Sequence, residues 1–406
     1  MNPTIVAVAF LGFSSGLPLS LSDSTLQAWF SEAGVGVQTI GLFSLVGVPY
    51  VFKFLWAPLL DRFQPGWPGR RRDWTLIAQL ALMVLLLSIA FLDPLSGQLG
   101  WFAIAAFLVA FVSATQDVAI DAYRTEVLAP AARGFGAAIF VAGYRIAMLT
   151  SGVGALVLAD HLGFNATYRL MALFAAIGVV ANLMAPNVAA RDGAPQTLAE
   201  AVVLPFKAFW LRGAAWQILL LILLYKMGDA FAGRLTTVFL LRELEFSLTD
   251  VGAINKGLGL AASLIGGLYG GRLMYRLGLY RSLLLFGVLQ AVTNLGFAAL
   301  ALIGKSYPAL VVVIGLENIT AGMGTAAFVA FLMALCDTRY TATQYALFTA
   351  FASLARVFAG PPSGVLVENL DWPIFFLFTF VIALPALAML HWMRERINTL
   401  DTQLAT

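Results

Sequence analysis

Several charged residues of this sequence lie inside long apolar stretches, where an ionised group is costly. Asp117 and Asp121 are four residues apart, so their carboxylates share one face of a helix, and Gln116 lies beside them. Lys53 and Arg145 lie in two other apolar stretches. A charge at the middle of a membrane helix costs about 2.5–3.5 kcal/mol on insertion scales, so it normally faces a partner or a water-filled cavity. Such carboxylates could carry a proton.

Each of these residues also has a structural interpretation. Asp121 could pair with Arg124 or Arg133 at the end of its helix. Arg145 could bind a substrate carboxylate, because its guanidinium group matches that shape, or it could simply neutralise Asp117. The two roles of Arg145 are compatible, since a competing substrate carboxylate would release Asp117 to take up a proton.

The second half of the chain contains a comparable set of polar residues. Lys226 and Asp229 are three residues apart on one helix and could neutralise each other. Glu317 and Asn318 lie nine to ten residues into the apolar stretch 308–335, near the membrane midplane. We therefore predict three proton-coupling carboxylates, Asp117, Asp121 and Glu317. The predicted substrate-binding residues are Gln27, Tyr50, Lys53, Gln116, Tyr144, Arg145, Lys226, Asp229, Asn255, Asn318 and Arg356.

The composition indicates what kind of chain must position these residues. Of 406 residues, 61% are hydrophobic and 11% are charged, whereas a soluble domain is about one quarter charged. This excludes an ordinary soluble enzyme, a disordered chain and a nucleic-acid-binding protein. A single cysteine excludes an internal disulfide and a thiolate zinc site, and two histidines exclude a His-rich metal site. The sequence also lacks a Walker motif and a catalytic constellation, so we expect neither an enzyme nor a cofactor.

Apolar stretches long enough to cross a bilayer recur along the whole chain. A membrane helix needs about 20 apolar residues, and the sequence offers twelve such stretches. They are 4–30, 38–61, 74–92, 101–125, 134–159, 167–186, 214–241, 250–271, 281–303, 308–335, 343–367 and 372–393. The first is too long for a signal-peptide core, and we expect it to remain in the protein. The fold class is therefore all-α, integral to the membrane. The glycine-rich run 257–271 is interpreted as a helix-packing surface.

Lys and Arg placement predicts the orientation of these spans. With the N-terminus in the cytoplasm, most Lys and Arg residues of the loops and chain ends fall on the cytoplasmic side of the membrane. Only Arg169, Arg242 and Lys305 fall on the opposite side. We therefore expect both termini in the cytoplasm.

A polar connector divides the spans into two groups of six. We predict an N-terminal lobe over 1–186, a connector over 187–213, a C-terminal lobe over 214–393 and a cytoplasmic tail over 394–406. Shifting the sequence by 211 residues places Gly41 on Gly252 and Arg145 on Arg356, which favours an internal duplication.

The same shift places Asp23 on Arg234, two opposite charges towards the outer side of the membrane. Such a pair could close an outer gate between the lobes. Alternatively, each side chain could extend to its own membrane interface.

The loop APLLDRFQPGWPGRRRDW resembles the Asp-Arg…Gly-Arg-Arg signature of the major facilitator superfamily, which implies a cytoplasmic latch formed by Asp61, Arg62 and Arg72. Four blocks, 12–29, 40–62, 113–128 and 133–152, closely resemble the AmpG-type muropeptide permeases. This resemblance implies a two-lobed fold and proton-coupled import of anhydromuropeptides from periplasm to cytoplasm, across the bacterial inner membrane, for cell-wall recycling. It also implies a bearing on antibiotic resistance.

We expect a monomer whose partners are the muropeptide, protons and the lipid bilayer, without nucleic acid. Two alternatives remain at this stage. The chain could carry another anionic solute such as an acyl-CoA, or it could be a membrane sensor that transports nothing. Charged groups at one depth in both lobes favour transport.

Overall fold

The computed structural model describes residues 3–57, 60, 71–128, 133–187, 210, 215–336 and 341–405. All regular elements within these ranges are helices, and none is a strand. This confirms the all-α class that the apolar stretches predict.

The helices of the first half mostly coincide with the predicted spans. They are α1 Pro3–Leu21, α2 Ser24–Glu32, α3 Val37–Leu42, α4 Val48–Phe52, α5 Arg72–Ile89, α6 Leu99–Val127, α7 Arg133–Leu149, α8 Ala155–Leu162 and α9 Phe164–Met184. Short 3₁₀ segments occupy Phe43–Gly47 and Lys53–Leu55, and a π-helical turn occupies Thr150–Gly154.

The helices of the second half follow in the same manner. They are α10 Ala215–Arg234, α11 Thr236–Val238, α12 Leu248–Asp250, α13 Gly259–Leu277, α14 Leu279–Ile303, α15 Tyr307–Ala334, α16 Thr341–Phe358, α17 Gly360–Asn369, α18 Trp372–Trp392 and α19 Arg394–Ala405. Phe239–Glu243 and Val251–Leu258 are π-helical.

Eleven helical stretches of the described residues are long and apolar enough to cross a membrane, and each matches one predicted span. The remaining predicted span, the seventh, contains α10. This helix has 20 residues, and at 1.5 Å per residue it is about 30 Å long. It carries three charged residues, Lys226, Asp229 and Arg234.

Helix breaks occur at corresponding positions of the two halves. With the 211-residue shift, the break between α1 and α2 at Ser22–Asp23 and the break after Arg234 agree to within two residues. The break between α16 and α17 at Ala359 falls two residues before the π-helical turn Thr150–Gly154. Hydroxyl groups bond the carbonyls near these breaks, since Ser22 donates to the Pro18 carbonyl at 3.0 Å. Thr236 likewise donates to the Ala232 carbonyl at 2.7 Å. Such bonds satisfy backbone groups that lipid cannot. The shared pattern supports the internal duplication.

The described chain groups into two compact units. Unit 1 comprises Met1–Val35, Val46–Ala194 and Ser247–Gly252, and unit 2 comprises Gly36–Leu45, Pro195–Phe246 and Ala253–Thr406. The predicted connector 187–213 lies almost entirely outside the described residues, so the predicted lobe boundaries stay a prediction.

Each unit has an aromatic core. In unit 1, the Trp29 ring stacks on Phe164 at 5.4 Å and meets the edge of Phe102 at 5.2 Å. In unit 2, Tyr225 stacks on Phe328 at 5.3 Å within a large apolar cluster. These contacts fix the helices that carry the polar residues discussed below.

Glycines bring α13 and α15 into backbone contact. A methyl group added at Gly266 would overlap the carbonyl oxygen of Ile319, and one at Gly322 would overlap that of Ser263. Small residues allow this approach, and van der Waals packing then stabilises helix pairs in lipid. The packing role predicted for the run 257–271 is confirmed at Gly266 and Gly270, whereas a methyl group at Gly271 would meet nothing within 4 Å.

We predict that Gly266→Ala lowers the free energy of unfolding by about 1–3 kcal/mol, because the methyl group overpacks a backbone contact. Gly271→Ala is the matched control on the same helix, since nothing lies within 4 Å of its added methyl group. The measurement is the thermal unfolding midpoint of the purified protein in detergent. Equal midpoints for the two variants would contradict the packing role.

Candidate functional site

Three elements of unit 1 bring polar side chains to Asp117. Asp117 lies on α6, and the Ser15 hydroxyl of α1 donates a hydrogen bond to its Oδ1. The Lys53 ammonium, in the 3₁₀ turn after α4, lies 4.0 Å from Oδ2. The Lys53 side chain is 35% exposed and the Asp117 side chain is 18% exposed. Asp117 thus has one charged partner and one neutral donor.

Arg145 is not the partner of Asp117. Within the described residues its side chain makes no hydrogen bond or ion pair, although it is only partly exposed. The neutralising role considered for Arg145 is therefore taken by Lys53. Tyr50 lies near enough to interact electrostatically with Asp117 and Tyr144. The Tyr50 hydroxyl is buried.

Asp121 and Gln116 have structural contacts. The Asp121 carboxylate is 3.1 Å from the Arg124 guanidinium and is 51% exposed, so the pairing with Arg124 that the sequence suggests is present. Gln116 is fully buried, and its amide donates to the Ser14 carbonyl at 3.0 Å. Gln116 thus ties α6 to α1. The proton-coupling role of Asp121 and the binding role of Gln116 stay predictions.

Two arginines join helix ends near the start of α5. Arg71 bonds Glu126 Oε1 through Nε at 3.0 Å and Nη2 at 2.8 Å. Arg72 donates to the carbonyls of Asn182 and Leu183, both at 2.9 Å. Arg72 thereby satisfies the last carbonyls of α9, as expected of a latch residue. Asp61 and Arg62 lie outside the described residues.

A second polar cluster lies in unit 2. The Lys226 ammonium is 3.6 Å from Asp229 Oδ2 and 5.1 Å from the centre of the Phe328 ring. Gln290 of α14 donates to the same Oδ2 at 2.6 Å. The neutralising pair predicted for Lys226 and Asp229 is present, with an added amide donor.

The remaining predicted residues of unit 2 surround this cluster. The Asn318 amide donates to Glu317 Oε2 at 2.6 Å, and Glu317 lies within electrostatic reach of Asp229. Arg356 is exposed and within electrostatic reach of Lys226. Asn255 lies in the π-helical segment Val251–Leu258 and is partly exposed.

The predicted gate residues belong to different units. Asp23 accepts a hydrogen bond from Gln27 Nε2 at 2.9 Å in unit 1, which gives Gln27 a local role. Arg234 lies buried in unit 2. The ion pair between Asp23 and Arg234 stays a prediction.

Two residues of these clusters were not predicted from the sequence. Ser15 lies in a small-residue run that favours helix packing, and Gln290 lies in an apolar helix without charge. The signal for Gln290 was the internal repeat, because Gln79 plus 211 residues gives Gln290. No comparable signal distinguishes Ser15 from its neighbour Ser14.

Both clusters therefore place a carboxylate beside a cation and a neutral donor, on helices of 29 and 20 residues, the length that a membrane crossing needs. The described residues contain no group of three His, Cys, Asp or Glu that could hold a metal ion. Polar clusters of this kind in membrane helices mark pathways for solutes or protons. The class of protein that the fold and the clusters define is a multi-pass membrane transporter.

Comparison with known proteins gives the family. Residues 8–359 and 235–403 match the model of the Major Facilitator Superfamily. The anhydromuropeptide permease of Escherichia coli K12 is 48% identical over 398 residues, which cover 98% of this chain and 81% of that protein. A Rickettsia conorii protein bearing the transporter name AmpG 4 is 34% identical over 405 residues, with 96% of each chain covered.

Solved structures agree on the fold. The nucleoside transporter NupG superposes with a TM-score of 0.73 at 16% identity and covers 96% of this chain and 99% of its own. A D-xylose-proton symporter superposes with a TM-score of 0.71 at 14% identity, with 95% and 96% covered. The chain therefore belongs to the Major Facilitator Superfamily, and within it to the family of the anhydromuropeptide permeases. These relatives are transporters, as predicted, and not enzymes.

We predict that Arg72→Lys lowers the free energy of unfolding by about 1.5–3 kcal/mol, the range for a lost hydrogen bond to a charged group. A lysine ammonium cannot reproduce the planar fork that reaches two carbonyls at once. Arg276→Lys is the matched control, because Arg276 is exposed and makes no ion pair or hydrogen bond within the described residues. Thermal unfolding in detergent compares the two, and an unchanged midpoint for Arg72→Lys would contradict the latch.

Proposed function

We propose that this chain is a proton-coupled importer that carries anhydromuropeptides from the periplasm to the cytoplasm. The observation that carries the substrate is the 48% identity to the Escherichia coli anhydromuropeptide permease, which extends over nearly the whole chain. The membrane is then the bacterial inner membrane, both termini are cytoplasmic, and the imported muropeptides feed cell-wall recycling. Transport proceeds by alternating access, driven by the proton gradient without a cofactor.

Asp117 is the first candidate for the coupled proton. Its partners are a neutral hydroxyl, Ser15, and a partly exposed ammonium, Lys53. When Asp117 takes up a proton, its attraction to Lys53 ends, and Lys53 is free to bind a substrate carboxylate. Release of the substrate reverses the exchange. Glu317 of α15 is the second candidate and lies in unit 2.

Arg145 is the proposed anion-binding residue of unit 1. Its guanidinium group has no internal partner among the described residues, so a ligand carboxylate does not have to displace one. A muropeptide offers carboxylates on its peptide and apolar sugar faces, which the ring of Tyr50 suits. In unit 2, Lys226 and Arg356 offer cations for the same ligand class, and Asp229, Asn255 and Asn318 offer polar partners.

The test is uptake of labelled GlcNAc-anhydroMurNAc-tripeptide into proteoliposomes, with and without an imposed inward proton gradient. The gradient is expected to stimulate uptake by the unchanged protein. Asp117→Asn is expected to abolish this stimulation, because an amide cannot release a proton at this position. The matched control is Asp371→Asn, since Asp371 is exposed and its side chain makes no capping bond.

The outcomes separate the parts of the proposal. Uptake that is equal with and without the gradient would disprove proton coupling, while the assignment of the muropeptide as substrate would still hold. Stimulation that persists in Asp117→Asn would show that another carboxylate carries the coupled proton, and Glu317 is the next candidate. An absence of uptake by a folded protein would disprove the substrate and favour another anionic solute.

Arg145→Lys tests the anion-binding role separately. We expect the KM for the muropeptide to rise about tenfold, because a fork of two parallel hydrogen bonds is replaced by a point charge. The maximal rate is expected to stay within about twofold, since binding rather than proton transfer is altered. Arg276→Lys again serves as the control, and a normal KM for Arg145→Lys would contradict the role.

A further inference from the structure

Gln290 makes the shortest contact to Asp229, a residue of the second polar cluster. Its amide nitrogen lies 2.6 Å from Asp229 Oδ2, and the Lys226 ammonium lies 3.6 Å from the same oxygen. Gln290 is only 5% exposed, so a ligand does not reach it directly. Its amide therefore contacts the ion pair from the buried side, through Asp229.

The position of Gln290 is itself fixed by its neighbours. A methyl group added at Gly324 of α15 would overlap Gln290 Oε1, so the amide occupies a slot that only glycine leaves open. One turn along α14, Thr293 Oγ1 lies 3.0 Å from Thr320 Oγ1 and holds the two helices together. The amide consequently has little freedom to turn away from Asp229.

Unit 1 has a buried glutamine at the repeat-related position, although the glycine beside it lies on a different helix. Gln79 of α5, which is 1% exposed, donates to Ser14 Oγ of α1 at 3.1 Å. Gly178 leaves the space for this contact, because a methyl group there would lie 2.8 Å from Gln79 Nε2 and would overlap Ser14. The next residue, Ser15, bonds Asp117. In both units, a buried glutamine fixes a polar residue of the first span of its half.

We propose that Gln290 is a positioning residue, which orients Asp229 so that the Lys226–Asp229 pair meets the substrate in one geometry. A lysine side chain has many rotamers, and ordering such a side chain during binding lowers affinity. By holding the shared oxygen in place before binding, Gln290 removes part of this ordering from the binding step. This inference rests on the proposed transport function.

Gln290→Met tests the role directly, because methionine keeps the length of the side chain and removes the amide donor. In the proteoliposome assay with labelled muropeptide, the KM is expected to rise about tenfold, the effect of losing one hydrogen bond to a charged group. The maximal rate is expected to stay within about twofold. Gln217→Met is the control, because Gln217 lies about 18 Å from Asp229 along the same helix.

Gly324→Ala tests the same role without changing Gln290. The added methyl group displaces the Gln290 amide, so the KM is expected to rise as in Gln290→Met. Gly315→Ala is the matched control on the same helix, since nothing lies within 4 Å of its methyl group. Gel filtration of each variant confirms that the compared proteins are folded, and Gly324→Ala replaces Gln290→Met if the latter misfolds.

A double-mutant cycle distinguishes positioning from a general structural role. In the Asp229→Asn background, which lacks the ion pair, Gln290→Met is expected to raise the KM by less than about twofold. An equal tenfold rise in both backgrounds would show independent effects and overturn the inference. An unchanged KM in Gln290→Met, with normal uptake by the unchanged protein, would overturn this inference alone. Absence of uptake by the unchanged protein would overturn the proposed function together with it.

Discussion

A carboxylate among membrane helices must find its donors within the protein, because hydrocarbon offers none. Asp117 finds a hydroxyl and an ammonium, contributed by two other helical segments. Asp229 finds an amide from α14 and an ammonium from its own helix. Each cluster therefore needs helices that approach closely at defined positions, and the rest of each unit provides this.

Close approach is achieved mainly by glycine. Along α1, methyl groups at Gly12 and Gly16 would run into the backbone of α7, and Gly143 of α7 has the same relation to α1. Lipid provides no hydrophobic drive for helix pairing, so contact between backbones has to supply the attraction. The same contact sets the depth and rotation of α1, and thereby the reach of the Ser15 hydroxyl to Asp117. The packing of α1 against α7 thus also determines the geometry of the contact between Ser15 and Asp117.

Hydropathy alone was sufficient to predict the fold class and eleven of the spans seen as apolar helices. The polar clusters were predicted only in part. The cost of a charge in lipid identified Asp117, Lys53, Lys226 and Asp229, because burial leaves such residues few positions other than beside a partner.

The partners themselves were harder to predict than the charges. Gln116 adjoins Asp117 in sequence, but successive residues on a helix point about 100° apart. Gln116 therefore bonds the Ser14 carbonyl of α1, whereas Asp117 contacts Ser15 and Lys53. Arg145 was considered as a partner of Asp117 from depth alone, and depth does not determine rotation about the helix axis. Uncharged donors such as Ser15 carry no burial cost large enough to distinguish them from packing residues in sequence.

The two units have the same helix plan but different chemistry at corresponding positions. Ser15 corresponds to Lys226 and Asp117 corresponds to Phe328, so the hydroxyl–carboxylate contact of unit 1 becomes an ammonium over an aromatic ring in unit 2. In unit 2 the carboxylate is that of Asp229, which lies on α10, the first span of its half, and contacts Gln290. A duplicated plan thus retains the glutamine that fixes the first span, while the charged groups have changed position.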